Sequence, residues 1–338
     1  MRILCGDIGG TKTLLQLVDI SATDSHIIKK QRYASNDYPQ FDLLIKDFLS
    51  TVSNQDSIES ACFGVAGPVI TANANQTASI TNLPWKLSSA QLATKFSIEH
   101  VALINDFQAI GYGISALNEN DLVTLQTGKP INHANQLIVG AGTGLGVAQL
   151  IWTGSEYKIS PTEAGHCDFA AANELQLELN HFLIKKEGRC SVEFVVSGPG
   201  LVNIFEFLAF RSNQLETDSY QSIILSPDPA AAIAKAADSD NNSIANQAMD
   251  LFIQAYAGQA GNFALSSLAL NGVYIAGGIA PKILHRLKSD IFMDAFNAKG
   301  KMSHLMKNIP VKIVTNAEVG LIGSRVYARK LAKTAGEL

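Results

Sequence analysis

A chain of 338 residues, at about 150 residues per domain, has the length of two domains or one large one and buries a sizeable core unaided. Hydrophobic residues make up 47% and charged residues 17%, with a mean hydropathy of +0.12, which excludes a disordered chain. Twenty-six basic against 30 acidic residues leave a net charge of -4 with no dense basic cluster, so neither nucleic acid nor anionic membrane is expected as a partner.

Residues 3–8 form a short apolar run, 14–20 follow after the Gly9-Gly10 pair and 26–33 make a third, so the chain is predicted to open as a β-meander. Between 39 and 52, Phe41, Leu44, Ile45, Phe48, Leu49 and Val52 recur at helical spacing, and 58–65 returns to strand before Gly67-Pro68. The order is then βββαβ. Ser88 or Ser89 is placed to cap a helix through Lys95, residues 101–104 read as a further strand, and Asn105-Asp106 close it before a helix opens at Phe107. A polar pair at the carboxyl end of a strand is a frequent location for chemistry in α/β folds.

About 135 residues on, the same opening recurs: a strand over 136–139, a glycine-dense turn over 140–146 and a strand over 147–151, a weak internal repeat of the first hairpin. Helices are predicted over 173–184, 200–209, 229–237 and from 243 to about 270. A strand over 273–276 ends at Gly277-Gly278, and a last strand over 311–314 precedes a closing helix from about 319. No low-complexity linker intervenes, so two domains sharing a hinge and a cleft are expected. Residues 1–116 form the small α/β domain, completed by the helix 319–338, and 117–318 form the large one.

The uncharged stretch between Asp250 and Lys282 exceeds the ~20 residues that span a bilayer. Gln254, Gln259, Asn262, Ser266, Ser267 and Asn271 interrupt it, and it reads as a buried helix running into a buried strand. Cys5, Cys62, Cys167 and Cys190 lie far apart with no CxxC pair, predicting buried thiols in a reducing compartment. The opening reaches Asp7 too early for the apolar centre of a signal peptide, so a cytoplasmic location is expected.

The run Gly6-Asp7-Ile8-Gly9-Gly10-Thr11-Lys12-Thr13 looks like a P-loop, but Thr11 stands where a glycine must precede the lysine, and a strand follows where a P-loop needs a helix. Gly140-Ala141-Gly142-Thr143-Gly144-Leu145-Gly146 likewise misses the third glycine of a dinucleotide fingerprint. What remains is two strand-turn-strand units whose freed backbone N–H groups, with the Thr11 and Thr143 hydroxyls, suit phosphate oxygens from two sides. Asp7 would repel a phosphate unless a hard cation such as Mg2+ lies between them, directly or through water. One such turn alone is equally a tight hairpin; two of them with an Asp favour a nucleotide.

Together with Thr81-Asn82-Leu83-Pro84-Trp85, Ile104-Asn105-Asp106-Phe107, Glu163-Ala164-Gly165-His166, Ser197-Gly198-Pro199-Gly200 and Ala276-Gly277-Gly278-Ile279, these turns give a set that resembles bacterial ATP-dependent glucokinase of the proteobacterial type. Order and spacing match over nearly the whole chain. The resemblance implies an α/β, two-domain actin-like ATPase (ribonuclease H-like) fold with a duplicated βββαβα-type core and an interdomain cleft. It also implies phosphorylation of D-glucose by ATP with Mg2+, as the first step of glycolysis, and leaves a homodimer open. The ATP set is Gly6, Asp7, Ile8, Gly9, Gly10, Thr11, Gly142, Thr143, Gly144, Gly277 and Gly278, with Asp7 towards Mg2+; Gly277-Gly278 let the adenosine approach, and Gly198 and Gly200 serve a similar end.

By the same resemblance Asn105, Asp106, Glu163, His166 and Glu193 contact the sugar, and Asp106 is the general base for its primary hydroxyl. Each has a plainer reading: Asp106 as a helix cap, His166 as a core histidine, Glu193 as support for a helix starting after Ser191. Lys12, where many relatives carry an uncharged polar residue, is expected to face solvent. A related sugar-kinase and repressor family follows Glu-x-Gly-His with zinc-binding cysteines. Here only Cys167 and Cys190 follow, His181 between them lacks ligand spacing, and no helix-turn-helix segment precedes Gly6, so neither structural zinc nor a repressor is expected.

A kinase for mannose, fructose or an amino sugar is the nearest alternative, and a catalytically silent sugar sensor the alternative from another class. Intact Asp7, Asp106 and both threonine-tipped hairpins speak against the sensor. An open phosphoryl-transfer site would let water compete with the sugar. ATP hydrolysis without sugar is therefore expected to be a small fraction of kinase activity, and glucose alone is expected to lower the radius of gyration in solution scattering. An unchanged scattering curve with undiminished hydrolysis would refute this.

Overall fold

Apolar residues alternate along the opening strands, and in the computed structural model, which describes residues 1–21, 24–52, 57–80 and 83–335, that alternation feeds cores on both faces of a sheet. The chain divides into two units, Met1–Asn118 with Asn316–Leu338, and Glu119–Thr315. Thr81 and Asn82 of the Thr81 to Trp85 motif lie outside the described residues.

In the first unit β1 (Arg2–Ile8), β2 (Lys12–Ile20) and β3 (Ser25–Ala34) run antiparallel. After α1 (Phe41–Ser50), β4 (Ser60–Val65) adds parallel to β1. Three short strands follow, β5 (Val69–Ala72), β6 (Asn75–Ser79) and β7 (Lys86–Ser88), then α2 (Ser89–Phe96), β8 (His100–Asn105) and α3 (Asp106–Ile114). The main sheet has the order β3-β2-β1-β4-β8. β1 and β4 are central and buried almost throughout, hence their continuous apolar runs. Edge strand β3 is mostly exposed and carries Lys29, Lys30 and Arg32, which discourages further pairing.

One face packs Leu4, Leu15, Leu17 and Phe63 against Phe41, Leu44 and Phe48 of α1. The other packs Ile3, Cys5, Val18, Cys62 and Ile104 against Ala109 of α3 and against Leu321 and Ala328 of the closing helix. Ser88 caps α2 as its type predicts, accepting from Gln91 N at 3.3 Å.

The second unit holds β9 (Leu122–Gln126), β10 (Gln136–Ala141), β11 (Leu145–Trp152) and β12 (Tyr157–Thr162). Helices α4 (Glu174–Glu187), α5 (Gly198–Arg211), α6 (Asp218–Ile224), α7 (Pro229–Ser239) and α8 (Ile244–Ser267) come next. After β13 (Val273–Ala276) come α9 (Leu284–Leu287), α10 (Asp290–Asn297), α11 (Ser303–Met306) and β14 (Val311–Val314). The sheet order is β12-β11-β10-β13-β14-β9, with β10, β13 and β14 parallel. The last helix, α12 (Val319–Ala335), belongs to the first unit.

The uncharged stretch is the buried end of α8 running into β13, and its Gln259 amide donates to Ala170 O at 2.8 Å. Among the described residues no helix is long and apolar enough to cross a membrane. One expectation needs correction: Cys5, Cys62 and Cys190 are buried, but Cys167 is exposed, because it leaves the short 164–166 turn at the surface. Burial pushes the Cys190 thiol up to about 11 and the Cys5 thiol up to about 12, which keeps both unreactive. The strands β5 to β7, β9 and β12 carry no strong sequence signal; they are short or at edges, and β12 contains Pro161.

Candidate active site

The turn between β1 and β2 is held from beneath by Ser35, a fully buried polar residue that the sequence motif does not single out. Ser35 Oγ donates to Gly9 O at 2.8 Å and lies 3.0 Å from Thr13 Oγ1, Ser35 N donates to Thr11 O at 3.0 Å, and Gly9 N donates to Lys12 O at 3.0 Å. Thr11 and Lys12 are left exposed at the tip, with Gly9 and Gly10 half-exposed. Ile8 is a core side chain, and Gly6 is glycine for packing: a Cβ there would stand 2.7 Å from Leu15 Cδ2 and 2.9 Å from Phe63 Cδ1.

Asp7 lies half-buried at the base of this turn. Burial pushes its carboxyl above the usual range, and the Lys12 ammonium opposes that shift. Gly320, in the first turn of α12, faces it; a Cβ on Gly320 would stand 3.5 Å from Asp7 Oδ2. A half-buried carboxylate is chemically suited to a hard divalent cation, which takes oxygen ligands and commonly binds through one or two carboxylates with the substrate's phosphates.

At the end of β8 the plainer capping role falls to Asn105. Its Oδ1 accepts from Phe107 N at 2.9 Å and Gln108 N at 3.4 Å, and its Nδ2 donates to Gly67 O at 3.2 Å. Asp106 is the first residue of α3, half-buried, with Oδ1 accepting from Phe107 N at 2.9 Å. The positive end of the helix thus supports an anionic side chain whose place is fixed by its neighbour's cap.

In the second unit the β10–β11 turn is held from three sides. Gly142 N donates to Gly144 O at 2.8 Å, Gly198 N donates to Gly142 O at 2.8 Å and Leu145 N donates to Glu193 Oε2 at 2.8 Å. Below it the fully buried Tyr256 hydroxyl accepts from Ala141 N and donates to Val139 O, both at 3.2 Å. Thr143 is exposed at the tip, and a Cβ on Gly142 or Gly278 would meet open space. Gly277 is required by the fold: its φ is +82° and a Cβ would stand 2.5 Å from Ala141 O.

Glu163, His166 and Glu193 come together in this unit. His166 Nε2 lies 3.9 Å from Glu163 Oε2 and His166 Nδ1 lies 3.9 Å from Glu193 Oε1, both beyond hydrogen-bond range. The histidine is not a core residue: its side chain is 59% exposed, against 69% for Glu163 and 26% for Glu193. Arg189, which no motif marks, donates to His166 O at 2.9 Å and to Asp168 Oδ1 at 2.6 Å, fixing the backbone of this turn. The plain reading of Glu193 is corrected as well. The helix that follows, α5, begins at Gly198 with Ser197 as its cap, and Glu193 Oε2 accepts from Leu145 N instead of supporting that helix.

Among the described residues no group of three or more His, Cys, Asp or Glu side chains is arranged to hold a metal ion. A magnesium ion brought by a nucleotide does not need one.

The glucokinase family model matches residues 4–331. The glucokinase of Nostoc sp. is 45% identical, covering 97% of this chain and 99% of that protein, and that of Pectobacterium atrosepticum is 32% identical with 98% of each covered. The crystal structure of glucokinase from an Antarctic psychrotroph superposes with a TM-score of 0.84 at 30% identity, over 97% of this chain and 99% of the other. With cyanobacterial and proteobacterial enzymes both matched end to end, this chain belongs to the glucokinase family.

Proposed function

We infer that this protein phosphorylates D-glucose at the expense of ATP, giving glucose 6-phosphate and ADP. The observation that carries the reading is the family match over residues 4–331, with the threonine-tipped turns and Asp106 in place. Asp106 takes the proton of the sugar's primary hydroxyl as that oxygen bonds to the γ-phosphorus. The bond from that phosphorus to the β,γ-bridging oxygen breaks, and ADP leaves. Asn105, Glu163, His166 and Glu193 bind and orient the hydroxyls, so that an epimer leaves polar groups unpaired.

Gly9, Gly10 and Thr11, and likewise Gly142, Thr143 and Gly144, offer phosphate oxygens their backbone N–H groups and threonine hydroxyls. Gly6 and Ile8 shape the first turn, Gly277 supplies the positive φ that ends β13 against Ala141, and Gly278, whose Cβ position is open, leaves room for the adenosine. Asp7 would hold Mg2+, directly or through water, and the bound ion supplies charge neutralisation at the phosphate oxygens. We further propose that the two sheets are copies of one actin-like core. Supporting this, β3-β2-β1-β4-β8 and β12-β11-β10-β13-β14 share the same sequence of antiparallel and parallel pairings. A reaction fed by ATP and glycolytic glucose belongs in the cytoplasm.

The test is a coupled assay of ADP release with ATP and a panel of hexoses. Glucose is expected to give the highest kcat/KM, and turnover of mannose, fructose or an amino sugar in preference to it would replace the substrate. For the ion site, Asp7→Ala is expected to raise the KM for Mg-ATP at least about tenfold, with glucose affinity in the absence of nucleotide within about twofold of wild type. Equal loss of both affinities would remove Asp7 from this role.

A further inference from the structure

The β10–β11 turn and the sugar residues of the same unit are joined by a closed circuit of contacts. Leu145 N donates to Glu193 Oε2 at 2.8 Å, and the main chain of Glu193 is pinned at both ends. Its N–H donates to Gly165 O at 2.9 Å and its C=O accepts from Ser197 Oγ at 2.7 Å. Gly198, next to that serine, donates to Gly142 O at 2.8 Å and so returns to the turn. Two glycines make the approach close enough. A Cβ on Gly144 would stand 2.5 Å from Glu193 Oε2, and one on Gly165 would stand 2.2 Å from Leu145 O. The second carboxylate oxygen, Oε1, points instead toward His166, 3.9 Å from Nδ1.

We propose that Glu193 is a positioning residue that couples the two substrates, one oxygen holding the phosphate turn and the other meeting a sugar hydroxyl. This deepens the reading above and rests on it. The two oxygens are rigidly linked, so a hydroxyl that draws Oε1 re-aims Oε2 against Leu145 N, and with it the backbone N–H groups of the turn. A phosphate that orders the turn fixes Oε2 and thereby sets Oε1 for the sugar. The effect is reciprocal by thermodynamic linkage: each ligand changes the affinity for the other by the same factor. Because the carboxylate's backbone is pinned at both ends, the side chain answers a ligand by turning rather than by moving its loop.

The experiment measures the Kd of a non-hydrolysable ATP analogue with and without saturating glucose, and the Kd of glucose alone, by calorimetry on the full chain, after wild-type turnover of glucose has been established. The wild type is expected to bind the analogue at least about fivefold more tightly with glucose present. Gly144→Ala, whose methyl displaces the carboxylate, is expected to weaken glucose binding without nucleotide at least about fivefold, although residue 144 is in the hairpin assigned to ATP. Gly258→Ala in α8, whose methyl meets open space away from both substrates, is expected to leave that Kd within about twofold. Glu193→Gln, which keeps the size but makes the acceptor neutral, is expected to bring the analogue's ratio below about twofold with an unchanged melting temperature.

Unchanged glucose affinity in Gly144→Ala, or a full ratio in Glu193→Gln, overturns the coupling. If Gly144→Ala does not fold, the Glu193→Gln ratio decides alone. A wild type that turns over glucose while these variants behave like it defeats only the coupling; a wild type that phosphorylates no hexose defeats the function and the coupling with it.

Discussion

Asp106→Asn is expected to lower kcat by at least ~10²-fold while glucose affinity stays within about tenfold, since a positioned general base contributes about 10² to 10⁴ in rate and an amide cannot accept the proton. The local structure is unusually well suited to this test. Asp106 is not the cap of α3; Asn105 is, accepting from Phe107 N and Gln108 N, so the helix start does not depend on residue 106. An asparagine side-chain oxygen can still accept from Phe107 N, as Asp106 Oδ1 does at 2.9 Å. The variant should therefore fold, melt within a few degrees of wild type and bind glucose, leaving kcat as the quantity that moves. Near-wild-type turnover would remove Asp106 from the mechanism.

Gly323→Ala is expected to destabilise the first unit by about 3 kcal/mol or more, in spite of the ~1 kcal/mol that alanine gains over glycine in a helix. A Cβ on Gly323 would stand 1.7 Å from Ala109 O and 2.7 Å from Gly113 N, and both are backbone atoms of α3 that cannot turn aside as a side chain would. On the facing helix a Cβ on Gly113 would stand 2.2 Å from Val319 O, so the crossing of α3 and α12 is closed from both sides by glycine. The overpacking term exceeds the propensity term, and α12 must shift. Since that helix also places Gly320 against Asp7, its displacement is expected to raise the KM for Mg-ATP as well.

Gly258→Ala in α8 is the control. Nothing lies within 4 Å of its Cβ position, and there the propensity gain is expected to stand alone, as a slight increase in stability. Urea unfolding followed by circular dichroism distinguishes the two. A Gly323→Ala protein as stable as wild type would refute the packing argument.

Much of the secondary structure was legible because its signals are local. β13 and β14 run over 273–276 and 311–314 as their apolar composition predicts, and α12 opens at Val319. Ser88, Ser197 and Asn173 each cap the helix that follows them, because a short oxygen-bearing side chain needs only the N–H groups two or three residues on. The β5–β7 sheet was not legible. Its turn places Asn73 and Ala74 at φ of 49° and 61°, and its strands are short and largely exposed, so no buried face imposes a period on them.

The candidate site divides in the same way. From residue types and spacing alone the sequence determined two glycine turns with threonine at the tip, an acid beside the first, and a polar pair at the end of a strand, all of which depend on neighbours within a few positions. Only the tertiary structure decided which glycines serve packing and which leave space: Gly6, Gly165 and Gly277 sit against other strands and turns, whereas Gly142 and Gly278 face open space. It alone brought Ser35 under the first turn, Tyr256 under the second and Arg189 behind His166, and it moved Glu193 from a supposed helix start to Leu145 N. Those partners lie 23 to 115 residues apart, and side-chain hydrogen bonds over such distances leave no periodicity in a single sequence. They exist only once the sheets have closed the intervening chain into loops.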